Sequence, residues 1–201
     1  KRAMAGEFSR ELSAKVFAGQ CKIVSKGFFI GSSAGFGLRR CLVDEGGTKR
    51  VELTAGQRKS ISTERVILVP GPFVEISTIH SIYNLYIENK KSLDSIAKSL
   101  NERGIKNGLG RVWKPAAVKD VLTNEKYIGT AVFNRTSKKL NNPQRRNPSN
   151  LWIRATGAFD PVVTPDRFAM ARRQLTDNIN RYTDNELLDN LTAVWCQQHR
   201  L

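Results

Sequence analysis

Two apolar stripes at helical spacing, joined by a glycine-containing connection, constrain the fold of this chain more than any other feature. Ser92 is placed to cap the first helix with its side-chain oxygen, Gly104 to end it in a left-handed conformation, and Pro115 to begin the second helix. The pattern predicts two short helices that share one core. Their stripes consist of Leu93, Ile96, Ala97 and Leu100, and then of Val118, Val121 and Leu122.

The outer face of the second helix is small and basic. It carries Lys114, Ala116, Lys119 and Asp120, and Arg111 lies just ahead of it. Such a pair is typical of a helix-turn-helix whose second helix enters the major groove of DNA. Many pairs of short amphipathic helices bind nothing, however, and this connection is longer than the tight turn of the simplest motif. Other features of the chain have to separate these two interpretations.

The charge of the chain favours a polyanionic partner. Its 201 residues include 33 Lys and Arg against 18 Asp and Glu, a net charge of +15. Ribosomal and membrane-surface proteins share such an excess. The hydrophobic share of 40% is enough for a core, and no apolar run has the length of a membrane span. We therefore expect a cytoplasmic protein that faces nucleic acid.

Few residues in the chain are suited to metal binding or catalysis. Cys21, Cys41 and Cys196 are too scattered for a zinc site, and an odd count favours reduced thiols in a cytosolic protein. The two imidazoles are His80 and His199, and His80 lies inside a helical pattern, where a packing role is expected. The sequence predicts no metal site, no cofactor and no catalytic residues.

The N-terminal third is predicted to contain a helix, an arm and a small sheet. Residues 1–20 resemble the second half of a long helix whose apolar stripe lacks a partner, so we interpret the chain as a fragment of a longer protein. Residues 21–35 are predicted to be a basic, flexible arm, either solvated or placed along DNA. Three short strands are predicted within residues 36–69, with the second over 51–61.

The remainder is predicted to be mostly helical. Residues 72–90 form a strong helix with an inward face of Val74, Ile79, Ile82, Tyr83, Tyr86 and Ile87. The expected later elements are a strand over 128–135, a basic loop over 136–150, an extended segment over 151–163 and a helix over 164–175. Residues 176–201 are acidic and predicted to begin a truncated helical module. The fold class is α+β, with a helix-turn-helix-like core and a small antiparallel sheet in a domain over 21–175.

These motifs, taken in order, resemble the DNA-binding "recombinase" domain of the large serine recombinase family, site-specific recombinases of the resolvase and invertase type. The resemblance covers nearly the whole chain, from EFSREL and GSSAGFGLRRCLVD to SLDSIAKSLNERGI, GRVWKPAAVKDVLTNEKYIGTAVFNR and a closing W-x-R. Two departures stand out. Lys114 occupies a position where the family often has a capping Ser or Thr, and the cysteines of a zinc ribbon are missing.

The resemblance implies that a separate N-terminal domain with a serine nucleophile cuts, exchanges and rejoins DNA. That domain is not in this sequence, and Ser9, Ser13 and Ser25 have no neighbouring base or arginine cluster that would activate them. We therefore expect a chain that is not itself an enzyme, needs no cofactor and places its parent on specific double-stranded DNA. The family implies a parent that acts as a homodimer and tetramer, bacterial or phage-encoded.

The basic residues divide into two predicted groups. Trp113 and Tyr127 are expected to pack the helix pair rather than to contact DNA. Candidates for reading base edges are Lys114, Ala116, Ala117 and Lys119, with Arg111 beside them. Candidates for phosphate contacts are Arg39, Arg40, Lys106, Arg135, Lys138, Lys139, Arg145 and Arg146.

Three other functions share some of these features. A helix-turn-helix transcription regulator without recombinase activity would need its own dimer or effector module. An RNA-binding or ribosomal protein would explain the charge, but the aromatic platform of sheet-type RNA readers is not evident. A self-contained nuclease would cut supercoiled plasmid, which a direct assay detects.

Overall fold

A computed structural model of the chain describes residues 2–31, 33–44, 50–54, 56–59, 63–138 and 143–179. Its helices are α1 (Arg2–Ser25), α2 (Phe73–Ile87), α3 (Leu93–Glu102), α4 (Pro115–Thr123) and α5 (Pro165–Ile179). Its strands are β1 (Leu38–Val43), β2 (Arg50–Leu53), β3 (Arg65–Pro70), β4 (Ala131–Phe133), β5 (Thr136–Ser137), β6 (Arg145–Arg146) and β7 (Ile153–Ala155). Short 3₁₀ turns span Glu125–Ile128 and Ser149–Leu151. The predicted α+β class is confirmed.

The largest sheet has the antiparallel order β2–β1–β3, while β4 pairs with β7 and β5 with β6. The prediction of three strands is right, but the second is much shorter than the predicted range 51–61, because β2 ends at Leu53. Gln57 closes a turn at this point. Its side-chain oxygen accepts hydrogen bonds from the N–H and the hydroxyl of Thr54, both at 3.1 Å.

The main core lies among helices α2 to α5. On α2 the predicted face is right except at Val74, which is 71% exposed. Burial on this helix begins only at Thr78, whose hydroxyl donates to the Val74 carbonyl at 2.8 Å. The predicted stripes of α3 and α4 are confirmed, and their buried members are Ile96, Ala97, Leu100, Val118, Val121 and Leu122.

The ends of the helix pair are formed as the sequence predicts. The Ser92 side chain caps α3 by accepting from the Ser95 N–H at 3.2 Å. Gly104 follows α3 with φ +70°, a conformation that L side chains rarely adopt. Pro115 is the first residue of α4, and Lys114 precedes it without a side-chain capping bond because an ammonium group cannot accept one.

Two asparagine side chains order the connection between α3 and α4. Asn101 accepts from the Trp113 N–H at 2.8 Å and donates to the Trp113 carbonyl at 3.0 Å. Asn107 accepts from the N–H groups of Leu109 and Arg111 at 2.9 and 3.0 Å. The connection is longer than a tight turn, yet these bonds give it one conformation and fix the point where α4 begins.

Helix α1 is longer than predicted. Residues 21–25 are helical, whereas the sequence pattern predicted that they belong to a flexible arm. Tertiary packing explains the difference: the Phe17 and Phe133 rings lie 5.9 Å apart, and Val24 is only 2% exposed. The exposed stripe nearer the N-terminus of α1 consists of Phe8, Leu12 and Val16.

In the described part of the basic segment 136–150, β5 and β6 pair, so these residues are not the loop that the sequence predicted. Thr136 lies opposite Arg146 in this small hairpin. The side-chain amide of Asn147 donates to the carbonyl and the side-chain oxygen of Asn134, both at 2.9 Å. These bonds tie the two ends of the hairpin together.

The C-terminal predictions are confirmed in part. The segment predicted as extended over 151–163 is a strand only at Ile153–Ala155, and the helix predicted over 164–175 continues to Ile179. Residues 139–142 and 180–201 lie outside the described ranges. The helical module expected at the C-terminus therefore stays a prediction.

Replacing Asn101 with alanine should leave both backbone groups of the buried Trp113 without partners. We expect the free energy of unfolding to fall by about 1–3 kcal/mol, the usual cost of unsatisfied buried polar groups. Urea titration followed by circular dichroism measures this loss. Lys98→Ala on the same helix is the control, because its ion pair with Asp94 is exposed and screened by solvent. Equal losses in both variants would contradict the role given to Asn101.

Candidate nucleic-acid interface

The outer face of α4 is open to solvent because its inner face is fully occupied by the core. Val118 and Leu122 have no exposed surface. Ala117 is half-buried and packs at the edge of the core. The exposed residues of the outer face are Lys114, Ala116, Lys119 and Asp120.

A buried hydrogen bond from α2 holds α4 in this orientation. The Tyr83 hydroxyl donates to the Val121 carbonyl at 3.2 Å. Burial raises the pKa of Tyr83 well above its ordinary value, so the hydroxyl keeps its proton and remains a donor. Because this bond and the apolar contacts lie on the inner side of α4, the small and basic side faces outward.

Four of the cations predicted to bind DNA lie on α4 and in the connection before it, and all four are exposed. Within the described part of the chain, none of them forms an ion pair. Asp120 is the one carboxylate of α4, so positive charge dominates this part of the surface. The four cations are Lys106, Arg111, Lys114 and Lys119.

A groove of about 930 Å³ separates the three-stranded sheet from α4. Arg39 and Arg40 of β1 line it together with Ala117 and Asp120 of α4. Arg40 donates to the carbonyl of Thr54 at 2.7 Å. The structure thus brings three of the predicted site residues, Arg39, Arg40 and Ala117, to one groove, although β1 and α4 are far apart in sequence.

Arg39 has a partner inside the protein. It donates two hydrogen bonds to Glu75, at 2.7 and 3.0 Å, and the Gly37 N–H donates a third at 2.8 Å. The bond from Arg39 is the main reason that the pKa of Glu75 lies below its ordinary value, and the same pairing raises the pKa of Arg39. Arg39 therefore joins β1 to the first turn of α2. Its contact with a DNA phosphate stays a prediction.

Trp152 gathers three arginines, which we call the Trp152 arginine cluster. The guanidinium carbons of Arg135, Arg146 and Arg154 lie 5.1, 5.6 and 5.0 Å from the centre of its ring. Arg154 pairs with Glu125 at 3.0 Å, whereas Arg135 and Arg146 have no ion-pair partner among the described residues. Two unpaired guanidinium groups on one indole ring make a second positive site.

The last predicted phosphate contacts fall near the β5–β6 hairpin. Arg145 lies on β6 opposite Ser137, and its side chain is exposed. Lys138 is exposed just after β5, and Lys139 lies outside the described residues. Apart from Arg39 and Arg40 on β1, the described candidate cations thus fall into two groups, one on and before α4 and one near the β5–β6 hairpin.

Trp113 and Tyr127 pack as the sequence predicts, with 3% and 2% of their surface exposed. The Trp113 ring meets the Phe36 ring edge-on, with centres 5.1 Å apart. The Tyr127 hydroxyl donates to the Phe36 carbonyl at 2.8 Å. Both side chains join the segment before β1 to the helix pair.

Lys126 is a structural residue that sequence reasoning missed. Its ammonium group donates to the carbonyls of Ser33 and Ala34, both at 3.1 Å, and lies 4.7 Å from the centre of the Phe29 ring. Burial, and then the charge of Arg135, lower the pKa of Lys126 to about 8. No local spacing indicates this contact, because its partners lie far away in the sequence.

Other kinds of site find no support in the part of the chain that the structure describes. No group of His, Cys, Asp and Glu side chains there is arranged to hold a metal ion. None of the described helices is both long and apolar enough to cross a membrane. Cys21 and Cys41 are free thiols, whereas Cys196 and His199 fall outside the described ranges.

The sequence of the helical part of the chain matches one protein family. The family model described as Recombinase matches residues 74–178, which is more than half of the chain and runs from α2 through α4 to α5. The chain belongs to the Recombinase family. The resemblance drawn from its motifs is confirmed at this level.

One curated protein and two solved structures are similar to this chain at low sequence identity. The protein YbcK of Escherichia coli (strain K12), described as uncharacterized, is 28% identical over 144 residues, which cover 69% of this chain and 26% of YbcK. A structure described as "Crystal Structure of a LSR-DNA Complex" is 16% identical with a TM-score of 0.49, over 81% of this chain and 39% of the other. A structure described as "Sequence Requirements of the Listeria innocua prophage attP site" is 17% identical with a TM-score of 0.48, over 81% and 51%. The chain thus spans about a quarter to a half of the length of these relatives.

Because Lys126 is half-buried and its pKa is lowered, we expect the stability of the chain to depend on pH. Its pKa is about 8 in the folded chain against an ordinary value of 10.5, so the unfolded chain binds more protons between these values. Lys126 should therefore contribute a rise in stability of about 2 kcal/mol between pH 8 and pH 10. Tyr83, Tyr86 and Tyr127 have raised pKa values, so they offset part of this rise as the pH approaches their ordinary value of 10.0, where the unfolded chain loses their protons first.

Urea titrations across this pH range test the assignment. Lys126→Met removes the titrating group, so the rise should be absent from this variant. Lys98→Met is the matched control, because Lys98 is exposed and its pKa is raised by Asp94, which places its titration above the window. Parallel pH curves for the wild-type chain and Lys126→Met would contradict the prediction.

Proposed function

We propose that this chain is the DNA-binding part of a serine site-specific recombinase. In this proposal it binds duplex DNA at a specific sequence and positions a separate catalytic serine domain, which cleaves, exchanges and rejoins the strands. The observation that supports it most is the open, small and basic outer face of α4 in a member of the Recombinase family.

Base reading is assigned to α4. Ala116 is exposed and small, so it lets the helix backbone approach the floor of the major groove. Lys114 and Lys119 are long, exposed donors on either side of it, and guanine presents two acceptors at this edge. Ala117 is half-buried and borders the groove beside β1, where a contact with the flank of the DNA is expected.

Phosphate binding is assigned to cations outside that face. Lys106 and Arg111 lie in the connection before α4 and have no internal ion pair within the described residues. The Trp152 arginine cluster holds Arg135 and Arg146 against one ring, which reduces the side-chain freedom that each loses on binding phosphate. Such contacts supply affinity and register without reading sequence.

The parent protein forms part of the proposal. A serine domain attached to this chain would carry the chemistry, and a homodimer that pairs into a tetramer would bring two DNA sites together. Helix α1, with its exposed apolar stripe, is the segment that would lead toward that domain.

Gel-shift measurements with three probes test the nucleic-acid class. Double-stranded DNA selected by the chain from a randomised library should bind more tightly than single-stranded DNA or RNA of the same sequence. Preference for RNA or for single strands would contradict the proposal. A recombination assay with the intact parent and two selected sites separates a recombinase from a transcription regulator, which would bind without exchanging strands.

Lys119→Met tests the reading helix. If Lys119 reads a base, its removal should weaken binding to the selected duplex by about 1–3 kcal/mol and relax the preference at one base pair. Binding to random duplex should change little. The matched control is Lys90→Met, because Lys90 is exposed and bonds to Gln174 on α5 rather than belonging to α4. Equal weakening on selected and random duplexes would contradict the assignment of α4.

Arg145→Met and Arg146→Met test the hairpin cations. Each should weaken binding to selected and random duplexes alike, because phosphates are present in every sequence. The slope of log affinity against log salt should become shallower by about 0.9 for each phosphate that the variant no longer neutralises. Titrations at several salt concentrations measure this slope. An unchanged slope in both variants would show that the hairpin cations do not contact DNA phosphates.

A further inference from the structure

An exposed apolar side chain lies between two exposed cations, Lys106 and Arg111, along the sequence. Leu109 lies in the connection before α4 and is 73% exposed, and Val112 nearby is 50% exposed. Leaving a leucine in water costs free energy that burial would recover. Its position therefore calls for a reason other than core packing.

The leucine is held in place rather than left on a loose loop. Its N–H donates to the Asn107 side chain at 2.9 Å, and the Arg111 N–H donates to the same oxygen at 3.0 Å. The Asn107 N–H donates to the Arg111 carbonyl, and the Gly110 N–H to the Asn107 carbonyl, both at 2.8 Å. Gly110 has φ +69°, which this tight turn requires. Leu109 thus projects from a turn with a defined backbone.

The surroundings of Leu109 fit a polyanion better than an apolar protein partner. Leu109 lines the groove that α4 shares with Arg40. Lys106 and Arg111 flank it in sequence, and both are exposed without an ion pair in the described ranges. A protein surface that covered Leu109 would also have to neutralise these cations, whereas duplex DNA offers phosphates and base edges together.

We propose that Leu109 contacts the 5-methyl group of a thymine and so determines specificity beside the bases read by α4. This inference rests on the proposed function. The turn lies immediately before the N-terminal end of α4, the end that approaches base edges in such motifs. In the major groove the thymine methyl is the apolar group that the base pairs present, so it is the natural partner of an exposed leucine.

Parallel selections with the full 201-residue chain test the inference. One randomised duplex library contains thymine, and the other contains deoxyuridine in its place, which lacks the methyl group. The wild-type chain should enrich a motif with a thymine preference that disappears in the deoxyuridine library. Leu109→Ala should lose the same preference in the thymine library. Replacing that thymine with deoxyuridine should lower wild-type affinity about fourfold, equivalent to about 0.8 kcal/mol for one methyl group.

The controls separate this inference from the proposed function. Leu109→Ala should keep the wild-type melting temperature, because the side chain is exposed. Met170→Ala is the matched control, since Met170 is 54% exposed on α5, and it should keep the thymine preference. The inference is overturned if Leu109→Ala selects the wild-type motif, or if deoxyuridine weakens both chains equally. Failure of the wild-type chain to enrich any duplex motif would overturn the proposed function as well.

Discussion

The burial of the inner side of α4 against α2 and α3 is the interaction on which the rest of the structure depends. Val118 and Leu122 are fully buried, and Tyr83 bonds the Val121 carbonyl between them. Burying one such side chain contributes about 1.5–3 kcal/mol, so turning α4 about its axis would cost several times that amount. The orientation that results leaves Ala116 at the surface. The division into a core side and a solvent side is therefore set by apolar packing, and the basic outer face is its consequence.

Polar side chains from distant segments place the irregular parts of the chain around this core. Backbone groups outside helices and sheets need partners when they are buried. Asn101 supplies them for the connection before α4, and Lys126 supplies them for the segment before β1. The pair of Arg39 and Glu75 joins the sheet to α2. Because of these bonds, the groove between sheet and helix has defined sides, and residues from separate segments meet there.

Sequence patterns predicted the helix pair well because its signals are local. The Ser92 cap and the left-handed Gly104 act on backbone groups within a few residues of themselves. The predictions failed where a distant contact decided the outcome. Residues 21–25 are helical because Val24 is buried against the core, and Val74 is exposed because the packing of α2 begins one turn later. Strands β5 and β6 lie within 136–150, which was predicted as a loop, and Asn147 beside β6 bonds back to Asn134 before β5.

The order of residues was enough to establish the two helices, the small and basic composition of one helix face, the excess of positive charge and membership of the family. The helices and the helix face depend on neighbours within a turn or two along the chain, and the charge and the family depend on residue identities taken over its length. Only the tertiary structure decided that Arg39 would be engaged by Glu75, that three arginines would surround Trp152, and that Leu109 would border the groove. The Arg39–Glu75 pair and the groove join segments far apart in sequence, and the Trp152 arginine cluster requires the β4 and β7 segments to pack beside each other. No spacing within a single segment encodes them.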